Sequence, residues 1–137
     1  MRPQEFSYLR ATRYPKFLKG LPYLTFSLQN QERSVSVSAL IDSGSSISIL
    51  PFDVGIALGL NWHAQHFPLP PLLGNLQPLS VFAVSLEAFI HPFPQVSLVF
   101  AWISDNSVPV ILGQNNFFDE FNVSFFGSDG VFQLIPK

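Results

Sequence analysis

The sequence predicts an all-β protein with one folded domain. Of its 137 residues, 47% are hydrophobic and 12% are charged, a balance that supports a hydrophobic core and excludes disorder for most of the chain. Short runs of β-branched and aromatic residues alternate with turns that contain Pro, Gly and Asn, whereas helical periodicity is scarce. We expect a basic, aromatic N-terminal segment over residues 1–20 and a folded domain over residues 21–137.

The predicted strands succeed one another along most of this domain. Residues 21–28 and 34–41 alternate apolar and polar side chains around a polar turn, which predicts a hairpin. A short strand at 47–50 leads into a helix at 51–58, because a proline suits the first turn of a helix. Three prolines between residues 62 and 76 predict a loop. The remaining elements are strands at 79–88, 96–103 and 108–112, a helix within 113–121, and closing strands at 123–126 and 131–135.

Charge is distributed unevenly along the chain. Six of the seven Lys and Arg residues lie in the first 33 positions, and no cation occurs between Ser34 and Pro136. A surface without cations cannot displace the counterions of a phosphate backbone, so we expect no nucleic-acid partner. No window reaches the roughly 18 apolar residues of a spanning helix, and no signal-peptide pattern is present. We therefore expect no membrane partner and a cytoplasmic location.

The sequence predicts no metal or other cofactor. It contains no cysteine, which excludes disulfides and zinc sites built on cysteine. His63 and His66 are three positions apart, but neighbouring prolines and the lack of a third nearby ligand indicate loop histidines.

The informative motif is a single carboxylate at the end of an apolar strand. Asp42 follows the residues Ala-Leu-Ile and opens a Ser-Gly-Ser-Ser loop. An unpaired carboxylate at the end of a buried strand is costly, so its presence there indicates a chemical role. The alternative is that Asp42 caps the turn by accepting backbone N–H groups.

A second apolar strand follows near the end of the chain, ending Ile-Leu-Gly at Gly113 and leading into the segment 114–121. With this order and spacing, residues 21–135 resemble the retropepsin-like aspartic proteases. Their pattern is apolar-apolar-Asp-Thr/Ser-Gly-Ala/Ser, then a flap hairpin, then apolar-apolar-Gly before a short helix. The resemblance implies a closed, barrel-like β domain with one short C-terminal helix, one lobe per chain, and the activity of an aspartic-type endopeptidase.

By position, the resemblance implies that Asp42 is the catalytic aspartate. Ser43 would be the hydroxyl residue that bonds across to a partner loop. Gly44 would let the substrate backbone approach, and Ser45 would complete the active-site loop.

The resemblance also implies a flap over residues 69–79, with its tip near Gly74 and Asn75. Substrate would lie extended beneath the flap and pair through its main chain, with apolar residues at the cleavage site. The residues expected to bind substrate are Leu73, Gly74, Asn75, Leu76 and Ile111, and those expected to support the Asp42 loop are Leu112 and Gly113.

Two positions depart from the viral members of the family. Those members carry an acid two positions after the motif glycine and an arginine after the late glycine, and the two form a pair. Here Ser46 and Gln114 occupy these positions. Because both are neutral, the change leaves no unpaired charge and is compatible with the same fold.

Only one Asp-Ser-Gly occurs in the chain, whereas this chemistry uses two carboxylates. We therefore expect a homodimer in which each copy supplies Asp42 across a twofold axis. The low charged fraction fits a surface that is buried on a second copy. The alternative is a dimer of the same fold that binds a peptide or protein without cutting it.

Overall fold

A computed structural model describes residues 2–10, 20–70, 72–74 and 77–137. It contains eleven strands, two short α-helices and two 3-10 turns within these ranges. In chain order they are β1 (Gln4–Ser7), β2 (Tyr23–Asn30), β3 (Arg33–Ile41), β4 (Ile49–Leu50), α1 (Phe52–Ala57), a 3-10 turn (Trp62–Ala64), β5 (Leu72–Gly74), β6 (Gln77–Leu79), β7 (Val81–Phe89), β8 (Val96–Ile103), β9 (Val110–Leu112), α2 (Phe117–Glu120), β10 (Phe121–Phe126), a second 3-10 turn (Gly127–Asp129) and β11 (Val131–Pro136).

Six strands close into a barrel in the order β2-β3-β9-β4-β8-β7, which confirms the predicted all-β class and its barrel-like form. The predicted hairpin is β2 and β3, which pair antiparallel from Tyr23 opposite Leu40 to Asn30 opposite Arg33. Strand β9 runs parallel to β3, and β4 lies between β9 and β8. Because β3 and β9 are parallel, the residues that follow β3 and those that follow β9 lie at the same end of the barrel.

The core fills the barrel because strand residues alternate between inside and outside. In β2, for example, Leu24, Phe26 and Leu28 are all buried. Trp102 is also fully buried, and its indole N–H donates to the backbone oxygen of Phe52 at 3.1 Å. This bond and the stacking of the two rings, whose centroids are 5.8 Å apart, fix α1 against the barrel.

A three-stranded sheet in the order β1-β11-β10 lies outside the barrel. The sequence indicates no regular element in residues 1–20, yet Gln4–Ser7 pair antiparallel with β11. Phe6 stacks on the buried Phe132 with ring centroids 5.4 Å apart, and apolar contact of this kind stabilises the strand. The first twenty residues therefore contribute a strand to the same sheet as the C-terminal strands.

The two α-helices are short. The predicted proline-initiated helix is α1, and the helix predicted within 113–121 is the single turn α2. Phe117 and Phe121 are buried and stack with centroids 5.1 Å apart, so both belong to the core. None of the helices in the described ranges has the length and apolar character needed to cross a membrane.

Candidate active site

The parallel pairing of β3 and β9 determines where Asp42 lies. Ile41, the last residue of β3, is in register with Leu112 of β9. The backbone N–H of Asp42 then donates to the carbonyl oxygen of Leu112 at 2.9 Å. This hydrogen bond holds the backbone of Asp42 against the barrel. The Asp42 side chain lies just beyond the last paired residues of β3 and β9.

The loop after Asp42 turns around the carboxylate itself. The N–H of Gly44 donates to Asp42 Oδ1 at 2.9 Å, and the N–H of Ser45 donates to the Asp42 carbonyl oxygen at 3.2 Å. Asp42 thus caps its own turn, as expected under the alternative interpretation of the motif. Capping does not exclude chemistry, since Asp42 is only half-buried and both Ser43 and Gly44 are exposed.

Gly113 packs directly beneath this loop. A Cβ on Gly113 would stand 2.2 Å from the carbonyl oxygen of Ile47 and 2.7 Å from that of Ser45. The N–H of Gly113 donates to the hydroxyl of the buried Ser48 at 3.0 Å. The Ile-Leu-Gly strand therefore lies behind the Asp42 loop, and the close approach requires glycine.

The segment expected to form a flap contains a small hairpin. Strands β5 and β6 pair antiparallel with Leu73 opposite Pro78. At its base, the N–H of Leu69 donates to the Val81 oxygen at 3.0 Å, which attaches the hairpin to β7. Asn75, at the expected tip, and Leu76, an expected substrate contact, lie outside the described residues.

The fold and the loop geometry can be compared with known proteins. No family model matches the sequence, and no curated protein matches it. A retropepsin-like aspartic protease from Rickettsia conorii has a similar structure, with a TM-score of 0.66 and 13% identity over 97% of this chain and 91% of that one. The chain has the retropepsin-like fold.

Two further structures support the assignment of the retropepsin-like fold. EIAV protease, solved in complex with the inhibitor HBY-793, matches with a TM-score of 0.53 and 15% identity over 74% of this chain and 88% of that one. The retroviral protease-like domain of Ddi1 from Leishmania major matches with a TM-score of 0.56 and 15% identity, over 74% of this chain and 81% of that one. At such low identity the likeness concerns the fold.

Within this retropepsin-like fold, the two neutral positions Ser46 and Gln114 lie in segments that amide hydrogen bonds connect. The backbone N–H of Gln114 donates to the Ser45 oxygen at 2.8 Å, and its side-chain amide donates to the Ser43 oxygen at 2.8 Å. The backbone and side-chain N–H groups of Asn115 both donate to the Ser46 oxygen, at 3.0 and 3.1 Å. Amide groups therefore hold the Asp42 loop against the residues after β9.

Residues that the sequence does not single out line an apolar cavity of about 310 Å³ beside the loop. The cavity lies between Ile47, which follows the Asp42 loop, and Leu69 at the base of the hairpin. Val99 is 46% exposed at its edge, an exposure that the sequence alone does not reveal. The other lining residues are Ser48, Ala83, Phe100, Ala101, Asn115 and Asn116.

The remaining predicted residues occupy varied positions. Leu73 and Gly74 lie in β5, and Ile111 is a half-buried residue of β9 in register with Leu40.

A second cavity of about 310 Å³ lies at the β2–β3 turn, at the opposite end of β3 from Asp42, and is lined by Asn30, Gln31, Glu32, Arg33, Leu58 and Gly59. It is separate from the loop described above.

His63 and His66 are exposed. Across the described ranges, no cluster of three or more His, Asp or Glu side chains is placed to hold a metal ion.

Proposed function

We propose that the protein is an aspartic endopeptidase and that Asp42 is its catalytic residue. The observation that carries this proposal is the carboxylate of Asp42 at the mouth of the barrel, oriented by the Gly44 N–H at 2.9 Å. This loop lies in a fold shared with two proteases and one protease-like domain. The loop exposes small residues, so the backbone of an extended peptide can approach the carboxylate.

The reaction needs two carboxylates that share one proton. The ionised carboxylate takes a proton from a water molecule, whose oxygen forms a bond to the carbonyl carbon of the peptide. The protonated carboxyl donates to the carbonyl oxygen, which gives a tetrahedral diol. Transfer of a proton to the amide nitrogen then breaks the C–N bond and releases a carboxylic acid and an amine. Such a pair carries one proton at acidic pH, so activity is expected to be greatest there.

One chain supplies one Asp-Ser-Gly loop, so the proposed site is completed by a second copy. In an isologous dimer the same loop from each protomer meets at the twofold axis. Exposed aromatic side chains support burial of a surface between copies, since Phe125 and Phe126 at the end of the edge strand β10 are each 40% exposed. Ser43 follows Asp42 directly in the sequence, and in the proposed dimer its hydroxyl would bond to the partner loop.

The β5–β6 hairpin is the proposed flap, with Leu73 to Leu76 and Ile111 as substrate contacts. The cavity between Ile47 and Leu69 would accept a side chain of the bound peptide, because its lining is mostly apolar. The proposed flap and the cavity together predict an extended substrate with an apolar residue in this cavity.

The direct test compares Asp42→Asn with Asp129→Asn in a peptide-library assay between about pH 4 and 6. Asp129 is a matched control because it also lies in a turn that contains glycine, the exposed turn after β10. We expect the wild type and Asp129→Asn to cleave and Asp42→Asn to fold without cleaving. Cleavage by Asp42→Asn at the wild-type rate would refute the assignment. Peptide binding without cleavage by both the wild type and Asp42→Asn would instead indicate a binding module.

A further inference from the structure

The peptide group between Ser43 and Gly44 connects the Gln114 side chain to Asp42. Its carbonyl oxygen belongs to Ser43 and accepts the Gln114 Nε2–H at 2.8 Å. Its N–H belongs to Gly44 and donates to Asp42 Oδ1 at 2.9 Å. Because a peptide group is planar, the two hydrogen bonds fix the orientation of one rigid unit.

We propose that Gln114 is a positioning residue that orients the Asp42 carboxylate through the Ser43–Gly44 peptide group. Rotation of this group would carry the Gly44 N–H away from Oδ1, and the Gln114 amide opposes that rotation from the other side. The two bonds also polarise each other, because a carbonyl that accepts a hydrogen bond makes the N–H of the same peptide a better donor. The catalytic consequence rests on the proposed function.

Gln114 is well placed for this role because its own backbone is anchored. Its N–H donates to the Ser45 oxygen at 2.8 Å, so one residue bonds to the carbonyls on both sides of Gly44. The preceding Gly113 packs against the Ile47 and Ser45 carbonyls and cannot move without disturbing them. The Gln114 side chain therefore extends toward Ser43 from a fixed base.

The hydrogen bond from the Gln114 side chain to the Ser43 carbonyl oxygen joins two neutral groups, unlike an ion pair. The carbonyl of Ser43 is an acceptor, so any donor at position 114 that reaches it can replace the glutamine amide. A methionine has a similar length but donates no hydrogen bond, whereas a lysine donates one. This difference separates loss of the bond from loss of side-chain packing.

The experiment compares Gln114→Met, Gln114→Lys and Gln95→Met with the wild type. Gln95 is the control because it is exposed and its Nε2–H donates at the same distance of 2.8 Å, to Glu87. The first measurement is hydrogen exchange of the Gly44 amide by NMR. We expect exchange to be about threefold to tenfold faster in Gln114→Met, the effect of one hydrogen bond, and close to wild type in the other two.

The second measurement is peptide cleavage. Gln114→Met should lower kcat by about 10- to 100-fold, since a small misplacement of a reacting group has effects of that size. KM should change by less than about twofold, because the substrate contacts remain. Gln114→Lys should recover most of the lost kcat, and Gln95→Met should equal the wild type.

Unchanged Gly44 exchange in Gln114→Met would overturn the inference, as would an equal loss of kcat in the methionine and lysine variants. If the wild type cleaves no peptide, the proposed function fails, and the Gly44 exchange rate still decides whether Gln114 holds the peptide group. A lower melting temperature shared by both Gln114 variants, with normal Gly44 exchange, would assign Gln114 a structural role only.

Discussion

The hydroxyl of Ser48 accepts a hydrogen bond of 3.0 Å from the backbone N–H of Gly113. Ser48 is 1% exposed, and its own carbonyl accepts the N–H of Ala101 at 2.8 Å. Ser48 therefore ties the glycine turn after β9 to the chain leaving the Asp42 loop and to β8. The site depends on contacts between three segments that are distant in sequence.

Replacement of Ser48 by alanine should destabilise the protein by about 1–3 kcal/mol, because the buried Gly113 N–H would lose its partner. Chemical denaturation measures this change. Ser36→Ala is the matched control, since Ser36 is an exposed residue of β3, and it should change stability by less than about 0.5 kcal/mol. Equal stability of the two variants would contradict the role given to Ser48.

Gly113→Ala should destabilise the fold by at least about 2 kcal/mol, because the added methyl group would overlap backbone carbonyls that cannot easily move. It should also reduce cleavage, since the displaced carbonyls belong to the Asp42 loop. Gly127→Ala is the control, as a Cβ there meets nothing within 4 Å. A Gly113→Ala protein as stable as Gly127→Ala would show that the packing under the loop is looser than described.

Val99→Arg should change the substrate preference of the apolar cavity. Val99 lines the cavity and is 46% exposed, so the substitution can be made without loss of core. We expect kcat/KM for peptides with an apolar residue in this cavity to fall by about tenfold, and peptides with an acidic residue there to gain. Phe89→Arg, on the exposed side of β7, should leave the preference unchanged. An identical cleavage profile for Val99→Arg and wild type would exclude the cavity from the substrate site.

Ser107→Ala should raise the pKa of Asp105 toward its ordinary value. In the wild type, the hydroxyl and the backbone N–H of Ser107 donate to the Asp105 carboxylate and lower its pKa. A lowered pKa in the folded state stabilises the fold above the pKa of the unfolded chain, and this contribution is lost as the pH falls through the folded value. NMR titration of the Asp105 carboxyl measures the change, and equal midpoints in the two proteins would contradict it.

This titration bears on α1, because the loop that carries Asp105 holds the start of that helix. The Asp105 carbonyl accepts the N–H of Phe52 at 3.0 Å, and the Asn106 side chain accepts the N–H of Asp53 at 2.8 Å. Ser107→Ala should therefore increase fraying of α1 as well, visible as faster exchange of the Phe52 amide.

Local pattern was sufficient to predict the parts of the fold that are local. The alternation in residues 21–28 and 34–41 predicts the β2–β3 hairpin because period-two patterning determines which side chains face the core. The position of Asp42 could also be predicted, since it follows an apolar strand directly.

Contacts between distant segments could not be predicted in the same way. The bond from Gln114 to Ser43 spans 71 positions and the bond from Gly113 to Ser48 spans 65, and neither leaves a periodic trace in the sequence. The pairing of β1 with β11 joins the two ends of the chain, so the N-terminal segment has no nearby partner from which its strand could be inferred. The exposed Val99 lines a cavity only because Leu69 and Ile47, which are distant in sequence, also line it.

Whether two copies of Asp42 form one proposed site can be measured by co-expressing wild-type and Asp42→Asn chains in equal amounts. Random pairing makes half of the dimers mixed, each with a single carboxylate, so activity per wild-type chain should fall to about half. Co-expression with Asp129→Asn should cause no such loss. If activity per wild-type chain is unchanged in the presence of Asp42→Asn, each chain acts alone and the two-carboxylate site is contradicted.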